Sequence, residues 1–332
     1  MTELADEPTT LMFHAEMIPP ITDSVGDDVQ ISHPPLVPKG PLNSYWTFLD
    51  SRPPSFETYA IEEIISLAHI APKLPLHIVH LSAVEAIPIL RAARESGIKI
   101  TAETCFHYLS LAAENIADGD TRHKCCPPIR KQANQETLWS ELLCRDDSVI
   151  QTIVSDHSPC TPDLKLLPPA LSPASAPPSK AETAVSGDFF AAWGGVSSVG
   201  LGLPLLWTAA TSSASARPIT IEDIVRLCCR NTAKQVGLSH IKGDLKVGMD
   251  GDIAVFDDEA EWIVNGDRVL WRNRISPYFG KKVRGLVKET WIRGQKVFCS
   301  EGVDADNEVV VGRGFDVKSG PVGRLLLEPR TS

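Results

Sequence analysis

The chain has 332 residues, 43% of them hydrophobic and 22% charged, with a net charge of −10. That composition suits one large globular domain or two smaller ones. The acidic balance without a basic stripe argues against nucleic acid, and no apolar run reaches the ~18–20 residues that span a bilayer. The eight cysteines include no CxxC pair, so they read as reduced thiols of a cytoplasmic protein, not as a disulfide framework or a cysteine-rich zinc site. The opening MTELADEPTT is acidic and lacks the basic and apolar regions of a signal peptide.

In chain order, TTLMFHAEM (9–17) reads as a short strand with His14 at its tip. Residues 18–54, rich in proline and turn formers, read as a long loop. Ile61, Ile64, Ile65 and Ala68 recur at helical spacing, with Ser55 as the N-cap. PLHIVHLS is a β-branched strand ending at His80. AVEAIPILRAARESG is a helix closed by Gly97 despite Pro88, and IKITAET is the next strand. A loop holding KCCPPIRK leads to a helix around 134–145, and VIQTIVSD is a further strand. Alternating strands and helices are the pattern of parallel βα units, either a doubly wound sheet or a (β/α)8 barrel. Residues 166–186 are a Pro/Ala/Ser insert without evident chemistry. TIEDIVRLCCRNTAKQVGL is a helix capped by Thr220, with Asp223 as its capping-box acid. Beyond 243, short strands with glycine turns form a small β appendage. The domain reading is therefore 1–242, with inserts at 18–54 and 166–186, followed by 243–332.

Three ligand-type side chains end three predicted strands: His14, His80 and Asp156. On the C-terminal rim of a parallel barrel this is where active sites are built. Two imidazoles and a carboxylate suit zinc or a similar metal, and the aspartate could carry a proton from water to a leaving nitrogen. The plainer readings stand beside this one. A lone histidine after an apolar strand is more often a satisfied structural residue, and Asp156 alone could be a turn former. His77, three residues before His80, belongs to the opposite face and reads as packed between strand and helix. His107, His123 and His157 are either partners that orient ligands or polar loop residues. His33, His69 and His240 look structural.

FHAE, SRPPSFE, LHIVHLSAVEA, ETCFHYL, KCCPPIR, VSDHSPC, AWGG and ISPYFGKKVRG follow one another in this sequence. In that order they resemble the motifs of the allantoinases, in the cyclic amidohydrolase group of the metal-dependent amidohydrolase superfamily. The resemblance runs from about residue 9 to residue 300. It implies a (β/α)8 barrel beside a small β-sandwich, and a binuclear site, usually zinc, whose hydroxide opens the ring amide of allantoin to give allantoate. By resemblance His14 matches the metal histidine after the family's fifth strand, and His80 the one after its sixth. Asp156 matches the aspartate after its eighth strand, both ligand and proton shuttle. Cys126, Trp193 and Gly194 fall where relatives contact the substrate ring. The family commonly forms homo-oligomers.

The chain departs from the pattern in two places. No two histidines are separated by a single residue, so the HxH pair of the family's first strand is absent. No lysine precedes FHAE, so the carboxylated lysine of its fourth strand is absent too. A full barrel takes ~250 residues. The expectation is thus a partial TIM-like barrel, strands five to eight, in a truncated chain that is poorly active alone. The alternatives are a dihydropyrimidinase/hydantoinase, a dihydroorotase-like enzyme, or a non-catalytic assembly protein of the same superfamily. The survival of His14, His80 and Asp156 favours an enzyme.

Overall fold

A computed structural model of the protein describes residues 1–19, 36–172, 186–211, 219–300 and 322–326. Part of the insert at 18–54, including His33, and most of that at 166–186 lie outside these residues. The chain forms two compact units, Met1–Val199 with Asn273–Pro277, and Gly200–Arg272 with Tyr278–Ser332.

The first unit is built on a four-stranded parallel sheet. Its strands are β1 (Leu11–Phe13), β2 (Leu76–Ile78), β3 (Ile100–Cys105) and β4 (Ile150–Val154), side by side in chain order. Between them run α1 (Tyr45–Asp50), α2 (Ser55–Ser66), α3 (Ala86–Glu95), α4 (Phe106–Ser110) and α5 (Gln132–Leu142). Parallel neighbours need such crossovers. Leu76, Ile78, Ile100, Ala102, Ile150 and Ile153 from the strands are buried, as are Ile61, Leu90, Leu138 and Trp139 from the helices. Each large side chain buried in this way contributes about 1.5–3 kcal/mol.

Local chemistry explains the element ends. α3 buries Ala86, Ile87, Leu90 and Ala93 on one face. Arg91 on the same helix donates to Glu141 at 2.6 Å, and Arg94 to the Ser148 carbonyl at 2.7 Å, tying α3 to the α5–β4 connection. Pro88 falls in the first turn of α3, where its missing N–H costs no intrahelical bond. Gly97, at φ 93°, follows the end of that helix. Ser55 is not a cap: α2 starts on it, and the Pro53 and Pro54 carbonyls accept the first amides. α1 lies inside the stretch read as loop. The flanking prolines mask it in the sequence, and its Tyr45 and Phe48 are buried in the core.

The second unit holds α6 (Gly202–Thr211), α7 (Ile221–Val225) and α8 (Asn231–Gln235), with a π turn at Arg226–Arg230 joining the last two. The capping box of Thr220 and Asp223 is present. β5 (Ile253–Ile263), β6 (Lys282–Ile292) and β7 (Gln295–Cys299) form an antiparallel sheet, the C-terminal β element expected from the sequence. Thr208 of α6 both donates to the Arg284 carbonyl and accepts from its amide, docking α6 on β6. Among the described residues no helix is long and apolar enough to cross a membrane.

Candidate active site

The C-terminal ends of β1 to β4 carry the chemistry-bearing side chains. His14 follows β1 directly, while His80 and Asp156 sit two residues beyond β2 and β4. His80 (φ 41°) and Asp156 (φ 43°) both hold left-handed backbone. That region is sparsely used by residues other than glycine, and strain of this kind clusters at functional sites. The loop after β2 is held by α2. Glu57 accepts from Ser82 N at 2.8 Å, Ser82 Oγ at 2.7 Å and Ala83 N at 3.1 Å, and its charge is met by Arg130 at 2.6 Å. The loop after β4 is stitched to 196–199. His157 Nδ1 accepts the amides of Ser198 and Val199 at 2.9 and 3.0 Å, and Ser155 Oγ meets Ser198 Oγ at 3.1 Å.

His14 and His80 come together: Nδ1 of the first faces Nε2 of the second at 2.9 Å. The far nitrogens, His14 Nε2 and His80 Nδ1, are buried without a hydrogen-bond partner among the described residues. His14 Nε2 does lie 3.6 Å from a Glu16 oxygen, and Glu16 is paired with Arg52 at 2.8 Å. Burial alone would raise the Glu16 carboxyl, but the His14 ring and the Arg52 guanidinium outweigh it and hold the group below its usual range. Burial, helped by the neighbouring His14, lowers His80, against the pull of Asp156 and Glu57. Asp156 thus reaches His80 electrostatically. Its carboxylate groups with Cys105 and His107, one donor atom of each lying within 4.8 Å of the others.

The two facing imidazoles suit one metal ion, but among the described residues His14, His80 and Asp156 do not close into one group of donors within 4.8 Å. Two nitrogens on one tetrahedral zinc stand about 3.3 Å apart, a few tenths of an ångström beyond the facing His14 and His80 nitrogens.

The expected substrate residues also meet. A β-carbon on Gly194 would lie 3.9 Å from the Cys126 sulfur. Burial first of all pushes the Cys126 thiol up to about 11. Trp193 is half exposed beside them. Two buried lysines hold this loop. Lys124 donates to the Phe190 carbonyl at 3.0 Å and to that of Ala192, and Lys165 to the Trp193 and Gly195 carbonyls at 3.0 and 2.6 Å. Burial lowers both ammonium groups to about 8. Neither lysine stood out in the sequence, nor did Glu16 or Arg52. Lys124, Glu16 and Arg52 were signalled only by their place inside KCCPPIR, FHAE and SRPP, and Lys165 by nothing.

The other histidines divide. His77 is satisfied by Thr101 at 2.8 Å and Glu103 at 3.1 Å, which makes it structural and sets it in a polar row along the sheet. His123 pairs with Asp120 at 3.3 Å, and His69 bonds the Ser66 carbonyl. His107 is buried, with neither nitrogen partnered among the described residues.

Residues 62–297 match the model of the amidohydrolase family. The chain is 41% identical over 329 residues to the allantoinase of Saccharomyces cerevisiae, covering 98% of this chain and 60% of that one. It is 38% identical over 255 residues to the allantoinase of Streptomyces avermitilis, covering 77% and 51%. A D-hydantoinase (dihydropyrimidinase) from Thermus sp. superposes with a TM-score of 0.64 at 23% identity, covering 82% of this chain and 53% of that one, a likeness of fold. The chain spans about half the length of most curated relatives it matches.

Proposed function

The chain belongs to the amidohydrolase family, and from that premise we propose that it serves the hydrolysis of the cyclic amide of allantoin to allantoate. The observation that carries the reading is the pairing of His14 with His80 at the strand ends, with Asp156 beyond β4 close enough for its charge to act on His80. The two allantoinase relatives support the choice of substrate.

His14, His80 and Asp156 would hold the metal, zinc by donor type. When bound, it supplies Lewis acidity, polarising the ring carbonyl and acidifying the attacking water. Asp156 takes the proton of that water and returns it to the ring nitrogen as the carbon–nitrogen bond breaks. Water is consumed and no other reactant is needed. Glu16, held below its usual range by His14 and Arg52 together against its burial, orients the His14 ring. Cys126, Trp193 and Gly194 line the ring's binding face, and Lys124 and Lys165 fix that loop through its carbonyls.

The four parallel strands are read as the fifth to eighth of a (β/α)8 barrel. The domain reading is 1–242 for the barrel half and 243–332 for the sandwich part and tail. Homo-oligomerisation and a cytoplasmic location go with the family reading.

The test is a panel of allantoin, hydantoin, dihydrouracil and dihydroorotate on the native protein purified from its source, with its intact mass read from the same sample. Allantoin should be opened fastest. Faster opening of any other ring overturns the assignment.

A further inference from the structure

We propose that Cys105, His107 and Asp156 form a metal site of their own, a Cys-His-Asp set that takes Zn2+ or another thiophilic divalent ion. The inference shares Asp156 with the reading above but does not require ring hydrolysis.

The backbone brings the three residues together. Cys105 is the last residue of β3, and His107 is the second of α4, so a Cys-x-His spacing straddles the strand-to-helix turn. Cys105 is in register with Val154 of β4, and Asp156 stands two residues further on. One donor atom from each side chain then lies within 4.8 Å of the other two. Three donors on one zinc, each about 2.0–2.3 Å from it, stand roughly 3.3–3.8 Å apart. Small side-chain rotations close the cluster onto an ion.

His107 is the independent sign that a ligand belongs there. The residue is 1% exposed, and among the described residues neither ring nitrogen has a hydrogen-bond partner. Its one described ring contact is the edge of Tyr108, with centroids 4.2 Å apart. A neutral imidazole presents one donor and one acceptor, and leaving a buried polar group unmet costs about 1–3 kcal/mol. An apolar side chain would fill the same volume without that cost. His77 shows the usual solution, with both nitrogens placed on Thr101 and Glu103. A metal ion resolves the exception at His107.

The sulfur sets the chemical class. A thiolate donor favours zinc and softer ions over magnesium or manganese, whereas His14 and His80 offer nitrogen only. Binding replaces the thiol proton, which leaves to solvent.

The test uses cobalt as a reporter. The metal-free chain is titrated with Co2+ and its near-ultraviolet absorption recorded, because thiolate-to-cobalt charge transfer appears only when sulfur is a ligand. The intact chain should show the band, and Cys105→Ser should lose it. Asp156 is the most exposed of the three. Asp156→Asn should therefore fold normally and bind Co2+ about tenfold or more weakly, at least the effect of losing a supporting partner in metal sites. Cys126→Ser should keep the band. No band in the intact chain, a band surviving in Cys105→Ser, or unchanged affinity in Asp156→Asn overturns the proposal. The signal is read without substrate. A chain that shows the band but spares allantoin defeats only the functional reading, and one that opens allantoin without the band defeats only this inference.

Discussion

The Nδ1 of His14 lies 2.9 Å from the Nε2 of His80, with the two rings edge to face and their centroids 4.7 Å apart. Sixty-six residues separate them in sequence, and the pairing of β1 with β2 brings them together. Two imidazoles this close either share a proton or share an ion. At 2.9 Å the facing nitrogens stand a few tenths of an ångström inside the spacing of two nitrogens on one zinc, about 3.3 Å.

Metal content tests that choice. Replacing His14 or His80 by alanine should lower zinc affinity by about 10–100-fold or more, since even the loss of a supporting partner does as much. His77→Ala should leave zinc content unchanged while lowering stability, because its nitrogens are committed to Thr101 and Glu103. Elemental analysis after dialysis against a fixed zinc buffer reads both. Equal zinc in His80→Ala and the parent would leave the pair a plain hydrogen bond.

The sequence carried the strand ends well. β-branched runs closing on His80 and Asp156, with helices between, were enough for parallel βα units and for the rim residues. The supporting shell was hidden, because its partners are distant in sequence. Arg52 reaches Glu16 across 36 residues, and Lys124 reaches the Ala192 carbonyl across 68. No local period encodes such pairs. The left-handed backbone at His80 and Asp156 was equally invisible, since residue type alone does not reveal φ. Helix α1 escaped for another reason: Pro41, Pro53 and Pro54 flank it and gave the stretch the look of a loop.

The Arg52–Glu16 pair should be costly to break on one side only. Both side chains are 1% exposed at 2.8 Å. Arg52→Met leaves the Glu16 carboxylate buried without its cation, a change that costs about 3–5 kcal/mol in buried pairs. The double variant Arg52→Met/Glu16→Leu should recover much of the loss. Urea denaturation of the three proteins measures this. A double variant as unstable as Arg52→Met would show that packing, not the uncompensated charge, sets the cost.

Asp120 makes stability depend on acid. It accepts from Arg122 Nε and Nη2, both at 2.7 Å, and lies 3.3 Å from His123. Burial alone would raise its carboxyl, but Arg122 and His123 outweigh that and hold it well below the usual range. The unfolded chain protonates this group near pH ~3.9, before the folded one does. Its contribution is therefore complete above that value and is lost as pH falls below it. Asp120→Asn should melt lower than the parent at pH 7, with a gap that narrows below about pH 4. A gap independent of pH would remove Asp120 from the acid response.

Gly195 bears the tightest constraint on the loop that carries Trp193. Its φ is 155°, and a β-carbon there would overlap the Ser158 carbonyl oxygen. The same residue donates to the Lys124 carbonyl at 2.7 Å and accepts from Lys165 at 2.6 Å, so it cannot shift without pulling on both lysines. Gly97 is the control, with φ 93° and, among the described residues, nothing within 4 Å of the added carbon. Gly97→Ala should lose only the backbone strain, about 1–3 kcal/mol. Gly195→Ala should lose more and should also change the fluorescence of the half-exposed Trp193, because moving the loop moves the indole. Thermal melts and emission spectra of the two variants separate the effects. Equal losses and unchanged emission would mean that the Ser158 contact yields freely and that backbone conformation alone sets the cost.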